Sequence, residues 1–369
     1  MFAESVIPLK ITEAAVFHLK APLEKPYRTT FGAMTHRQAV VIELTNEDGV
    51  TGVGESWINF PIWAPNERMA AFRDGYFPAI VGKEIGDIPG FVRGLWNRNY
   101  RAGLQSATLG PAMQALCAVE AALWDIRARL RGVTIGNLFD AEPARTVKMY
   151  GSGINPPFLE DSILEARDAG LDVFKLKLGY GDAEDRENIR ALQRLLGDGA
   201  RVAVDVNRSW PFDKTMEWAG YLADQGIAWL EEPLCIEEQH RYPELFARTP
   251  LPISAGENFL IPPGSDFTRE GAGGLTLNSS GLALHMVQPA VVKNCCFTDA
   301  LRLRDTVEGR GKRLCPHFLG SAPGMALTAH LTTLTRDPWL EWDINPNPLR
   351  TTLFSEPFRI RDGFLEMSA

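Results

Sequence analysis

From residue 147 to residue 342 the chain repeats one unit, a short apolar or β-branched run followed by an amphipathic stretch. The runs are Val147–Tyr150, Phe174–Leu178, Arg201–Val206, Ala228–Leu230, Pro252–Ala255, Met286–Lys293, Arg313–Cys315 and Trp339–Trp342. Between them, stretches such as Asp185–Leu196 and Thr215–Gln225 carry helical periodicity. Eight strands alternating with helices point to a closed parallel barrel rather than an open sheet, so the expected fold class is α/β with a TIM-type (β/α) barrel over 131–349. One connection stands apart. The segment 263–285, between the fifth and sixth runs, is long and rich in Gly and Ser, which suits a lid or a surface excursion equally.

A parallel barrel places its chemistry at the carboxyl ends of its strands. Three consecutive runs end in an acid: Val-Ala-Val-Asp205, Trp-Leu-Glu231-Glu232-Pro and Ser-Ala-Gly-Glu257-Asn, each 26 residues from the next. Equal spacing by about one strand-plus-helix unit predicts equivalent places on three neighbouring strands. Three converging carboxylates repel unless a cation neutralises them, and an all-oxygen ligand set favours one Mg²⁺ or a similar hard ion per subunit. The second run ends in Lys175-Leu176-Lys177, and alternation turns both lysines toward the barrel interior. A lysine there can act as a base near neutral pH when a cation sits beside it, or can simply form an ion pair with Asp205. His317, after the seventh strand, and Glu341, at the end of the eighth, complete the candidate acid–base groups. Asn207 is a further candidate for the substrate.

Before the repeat, Ala14–Lys20, Ala39–Thr45 and Val50–Glu55 read as an antiparallel meander, with Asn46-Glu47-Asp48-Gly49 as the second turn. Ala64–Phe77 and Pro111–Arg131 have helical periodicity, the latter stopped by Gly132. Residues 1–130 therefore form a separate α+β domain. A net charge of −8 disfavours nucleic acid as a partner, and no apolar run approaches the ~20 residues that span a bilayer. The five cysteines are scattered without zinc spacing and no secretory leader is visible, so reduced thiols and a cytoplasmic location are expected.

As a set, the Lys-x-Lys pair, the three acids, the Glu-Glu-Pro and Gly-Glu-Asn contexts, and the strand-end His317 and Glu341 resemble the mandelate racemase/muconate lactonizing enzyme family of the enolase superfamily. The resemblance covers nearly the whole chain. It implies a capping domain, completed by 350–369, that closes over the barrel and supplies specificity. Its loops would present Tyr27, Arg28, Trp57, Asn59 and Phe60. It also implies a Mg²⁺-dependent enediolate step with Lys175, Lys177 and His317 as catalytic groups, and a homo-oligomer. Met149–Pro156, Cys315–Gly320 and Asn345–Arg350 look most like acid-sugar members. One position departs from the racemase-like pattern. Ala290 stands where an aspartate backs the histidine, which predicts a weaker base at His317 unless another acid orients it.

These residues imply removal of the proton α to the carboxylate of a small-molecule substrate. Weak basicity at His317 tilts the outcome toward β-elimination or lactone opening, as in an acid-sugar dehydratase or an aldarate-lactone cycloisomerase. Racemisation or epimerisation of a 2-hydroxy acid or amino-acid derivative, with Lys177 and Lys293 as the pair, is the alternative. A metal-binding barrel without catalysis is the third possibility.

Overall fold

The computed structural model describes residues 8–267, 283–355 and 358–367. Most of the Gly/Ser-rich connection, 268–282, lies outside the described residues. The amino-terminal sheet is built on a long hairpin, β1 (Leu9–Thr29) with β2 (Gly32–Asn46), extended by β3 (Thr51–Ser56) and by the short β4 (Glu84–Ile85) on the far side of β1. The turn between β2 and β3 falls where the sequence places it. Asn46 Oδ1 accepts from Val50 N at 2.9 Å and Gly49 takes a φ of +76°, a conformation glycine adopts without Cβ strain.

Four α-helices cover this sheet: α1 (Ala64–Ala70), α2 (Phe77–Ile80), α3 (Ile88–Gln105) and α4 (Leu109–Arg131). The helix expected over 64–77 is interrupted by a π-turn at Ala71–Tyr76, and α3 adds an amphipathic helix with Ile88, Val92, Leu95 and Trp96 buried on one face behind the Asp87 cap. The α4 helix ends as predicted, with Gly132 left-handed and Val133 N donating back to Ala128 O. The packing of α4 on β3 depends on small residues. A Cβ on Gly54 would lie 1.9 Å from Ala118 O, and one on Gly52 2.2 Å from Ala122 O. Glycine on the strand and alanine on the helix let the two backbones touch.

Eight parallel strands follow: β5 (Thr146–Ile154), β6 (Val173–Lys177), β7 (Arg201–Asp205), β8 (Leu230–Glu231), β9 (Ile253–Ala255), β10 (Met286–Val287), β11 (Arg313–Leu314) and β12 (Trp339–Asp343). Ladders run in order from β5 to β11, and β12 returns to pair with β5. Between β11 and β12 the described residues form side-chain links in place of a ladder, such as Cys315 Sγ donating to Trp339 O at 3.4 Å. The intervening helices are α5 (Glu160–Asp168), α6 (Asp182–Leu196), α7 (Phe212–Asp224), α8 (Tyr242–Arg248), α9 (Phe297–Gly309) and α10 (Ala322–Thr332). The sixth strand stops far short of the expected Met286–Lys293. Pro289 offers no amide to a ladder, so the chain turns there and carries Ala290 and Lys293 out of the sheet.

The carboxy-terminal segment divides its contacts. Leu349 in α11 (Pro348–Thr351) packs with Ala39 and Val41 of β2, while the hairpin β13 (Arg359–Arg361) and β14 (Phe364–Glu366) pairs with the start of β5. Two large hydrophobic clusters result, one inside and around the barrel and one between the amino-terminal sheet and its helices.

Candidate active site

Strand β6 sends both Lys175 and Lys177 inward, as alternation predicts, and both are buried. Lys175 pairs with Glu231 and lies 2.7 Å from Glu341 Oε1 and 3.9 Å from Asp205 Oδ2. Lys177 pairs with Asp205. Burial opposes charge on both lysines, but the adjacent carboxylates prevail and hold both ammonium groups above their ordinary range. The two differ in access. Lys177 lines the cavity, whereas Lys175 is sealed beneath its floor, where it balances the acids around it.

Strand register refines the expectation of three equivalent acids. Asp205 of β7 pairs with Glu231 of β8, and Glu231 pairs with Ser254 of β9. Glu257 therefore sits three residues beyond the equivalent place, on the loop after β9, and reaches the mouth from above. Glu231 accepts from Gln288 Nε2 at 2.7 Å and Trp229 Nε1 at 3.2 Å. Burial, then Asp205 and Glu341, push it up to about 7 against the pull of Lys175. Asp205 is capped by the Asn207 amide at 2.8 Å. Glu257 accepts from Asn258 Nδ2 at 2.9 Å; burial would raise it, but His317 and then Lys293 hold it well below the carboxylate range.

His317 is not the isolated imidazole that Ala290 implies. Its Nε2 lies 2.9 Å from Glu257 Oε2, and its Nδ1 lies 2.6 Å from Glu341 Oε2, out of line for a hydrogen bond. Burial alone would lower its pKa; Glu257 and Glu341 overcome that and raise it to about 9. The backing carboxylate comes from the eighth strand instead of the position Ala290 occupies. Glu341 is held in turn by Ser152 Oγ and by Phe318 N at 3.1 Å. Burial works against its charge, but His317 and Lys175 keep it well below the ordinary range.

A cavity of about 400 Å³ opens above these groups, between the barrel mouth and the amino-terminal domain. Lys177, Asn207, Glu257, Lys293 and His317 form its barrel side. Tyr27, Trp57, Asn59 and Phe60 line it from the cap, and Lys293 Nζ rests 4.4 Å from the Trp57 ring centroid. Arg28 does not line it. Its guanidinium stacks on Tyr180 at 4.3 Å and lies 3.4 Å from Glu184 on the surface. Other lining residues were missed. Arg208 directly follows Asn207 and could have been found from the strand-end rule. Arg37, Arg68 and Gln114 lie on the cap's β2, α1 and α4, where nothing in the local pattern marks them.

Oxygen donors dominate the mouth, which suits a hard divalent ion. The ligand atoms of Glu231, His317 and Glu341 lie within 4.8 Å of one another, and Asp205 stands beside Glu231 in register. Each carboxylate already faces a cationic side chain, so a metal would compete with Lys175, Lys177 and His317 for the same oxygens.

The fold and mouth together define a (β/α)-barrel enzyme with a capping domain and a buried carboxylate–lysine–histidine centre. Residues 11–139 match the mandelate racemase/muconate lactonizing enzyme N-terminal domain, and residues 159–369 match the enolase C-terminal domain-like family. The chain belongs to the mandelate racemase/muconate lactonizing enzyme family of the enolase superfamily. It is 25% identical over 374 residues to D-galactarolactone cycloisomerase of Agrobacterium fabrum, covering 96% of this chain and 93% of that one. It is 26% identical to L-talarate/galactarate dehydratase of Salmonella typhimurium, covering 91% and 79%. A solved structure of a mandelate racemase/muconate lactonizing enzyme from Bordetella bronchiseptica RB50 superposes with a TM-score of 0.84 at 27% identity, covering 97% of this chain and 94% of that one. Among the described residues no helix is long and apolar enough to cross a membrane.

Proposed function

We propose that this enzyme removes the proton α to the carboxylate of an acid sugar or its lactone and completes a dehydration or cycloisomerisation. One observation carries the reading: Lys177, at the end of β6, and His317, on the loop after β11, meet on the floor of one cavity, and buried carboxylates surround both. Asp205, Glu231 and Glu257 would hold Mg²⁺, which supplies the positive charge that stabilises the substrate carboxylate as its α-proton leaves. With Asp205 engaged by Mg²⁺, Lys177 would lose the partner that holds its ammonium charged, and its neutral Nζ is placed to take that proton. His317, whose Nδ1 faces the Glu341 carboxylate, is placed to deliver a proton to a β-leaving group from Nε2. Lys175 acts from beneath, keeping Glu231 and Glu341 charge-balanced. Tyr27, Trp57, Asn59 and Phe60 exclude water from above.

The two relatives named above, a cycloisomerase and a dehydratase of acid sugars, support the substrate class. Lys293 keeps epimerisation chemically accessible, since a second lysine does reach the cavity. We further propose a cap over 1–130, completed by 350–369, on a barrel over 131–349, and a cytoplasmic homo-oligomer. Incubation of the Mg²⁺-loaded enzyme with acid sugars, their lactones and N-substituted amino acids in D₂O, followed by mass spectrometry, tests it. Loss of water or lactone isomerisation of an acid sugar, abolished in Lys177→Ala, is expected. Exchange that survives Lys177→Ala and dies in His317→Asn would overturn the role given to each.

A further inference from the structure

The proposed reaction uses only the floor of the cavity, yet positive charge continues up its walls. Arg37, Arg68, Lys177, Arg208 and Lys293 all line it, and Glu257 is its one lining acid among the described residues. Most of these cations are matched. Arg37 pairs with Asp343, Lys177 with Asp205 and Lys293 approaches Glu257 at 3.6 Å, while Arg208 lies 3.7 Å from Glu232.

Arg68 differs. It projects from α1 of the cap and is 4% exposed. Its Nη1 donates to Ala64 O at 3.2 Å and to Glu67, and its Nη2 to the amide oxygen of Gln114 on α4. Gln114 lines the cavity beside it. The Arg68 Nε–H is buried and has no partner among the described residues. A donor left without a partner on a buried guanidinium is unfavourable and calls for an acceptor. Helices on both sides fix the group, so it is pre-positioned rather than recruited by a loop. Glu67, its charged partner, is substantially exposed, so solvent screens that pairing.

We propose that Arg68 is a specificity-determining residue that binds a second, distal carboxylate of the substrate, so that this enzyme selects dicarboxylic acid sugars over monocarboxylic ones. The inference rests on the acid-sugar reading above. One carboxylate engages the floor; the other approaches the cap wall and accepts from Arg68 Nε and a neighbouring guanidinium nitrogen, with Gln114 holding the fork in place. A charged fork on a carboxylate is a strong and directional contact. A monoacid with a terminal hydroxymethyl leaves the buried Arg68 Nε–H without an acceptor, and unpaired buried polar groups are the source of large discrimination.

The test compares a six-carbon aldaric acid with the matching aldonic acid, using Mg²⁺-loaded wild type, Arg68→Met, Arg68→Lys and Gln114→Leu. Turnover and calorimetric binding are both measured. Wild type should favour the diacid. Arg68→Met should lower the diacid-to-monoacid ratio of kcat/KM at least 30-fold, mainly through KM, and weaken diacid binding by a similar factor. Arg68→Lys should recover part of the ratio, and Gln114→Leu should lose part of it. Equal losses for both substrates, or a wild type that does not discriminate, would overturn the proposal. Arg68-dependent diacid binding without turnover of either acid would support it while defeating the reaction proposed above. Absence of binding by wild type would overturn both.

Discussion

Replacing Arg37 by Met should loosen the cap from the barrel. Arg37 sits on β2 and Asp343 ends β12, so their contact joins the two halves of the molecule. The side chains are 4% and 2% exposed, and Nη2 meets Oδ2 at 2.5 Å. Arg37 Nε also donates to Pro346 O at 3.1 Å. Burial would lower the arginine pKa, but Asp343 outweighs it, so the pair is ionic. Breaking a buried pair from one side costs about 3–5 kcal/mol, because a charge is left without its partner. Here Asp343 Oδ1 keeps two donors, Asn345 N at 3.1 Å and Asn345 Nδ2 at 2.8 Å. The Arg350 guanidinium stays close as well, donating to Asp343 O at 2.7 Å. The loss should therefore fall near the lower end, about 3 kcal/mol, or roughly a hundredfold in the folding equilibrium. Arg37 also stands over Tyr27, its Cζ 5.4 Å from the ring centroid, and both line the cavity, so KM should rise with the loss of stability. The assay is urea unfolding of wild type, Arg37→Met, Asp343→Leu and the double variant at one fixed Mg²⁺ concentration, since a bound ligand shifts apparent stability. The double variant should be less destabilised than the two single losses added, by about 2 kcal/mol of coupling. Additivity would refute the view that this pair holds the cap.

Gly54→Ala should destabilise the protein by about 3 kcal/mol or more, since the new Cβ meets the Ala118 backbone 1.9 Å away and neither element can yield without moving the other; thermal unfolding beside an Ala-to-Gly change on an exposed strand position measures it. In metal-free protein, His317 is raised from 6.5 to about 9 because Glu257 and Glu341 outweigh burial. A raised folded pKa contributes stability that is complete below about pH 6.5 and is lost as pH climbs through 9, on the order of 3 kcal/mol in all. The difference in unfolding free energy between wild type and His317→Asn, measured with a chelator present, should shrink across that window; a difference independent of pH would refute the charged pairing.

Much of the fold was legible because it rests on local periodicity. Apolar runs at regular intervals identified all eight barrel strands, and Gly132 and the Asn46 turn fell where short-range chemistry requires. Strand ends were less legible. Met286–Lys293 looks like a strand throughout, yet Pro289 removes the ladder donor after two residues of pairing. The π-turn in the first helix left no comparable signal, whereas α3 carries a legible one, the Asp87 cap followed by Ile88, Val92, Leu95 and Trp96 on one face.

The candidate site divides along the same line. Lys175, Lys177, Asp205, Glu231, Glu257, His317 and Glu341 could be named from the sequence because a parallel strand carries its last polar residue to the mouth whatever surrounds it. Their partners could not. That Lys175 lies under the floor, that Glu257 reaches in from a loop, and that Glu341 supplies the carboxylate absent at Ala290 depend on register and side-chain reach across strands far apart in the chain. Arg28 and Arg68 show the limit most clearly. Both are cap arginines, and the family resemblance favoured Arg28; the tertiary structure turns Arg28 outward onto Tyr180 and buries Arg68 in the cavity wall. The sequence by itself determined which kinds of group stand at the barrel mouth, since period and strand polarity are local properties. Only the tertiary structure decided which of them face the substrate, since burial and pairing arise when cap and barrel close on each other.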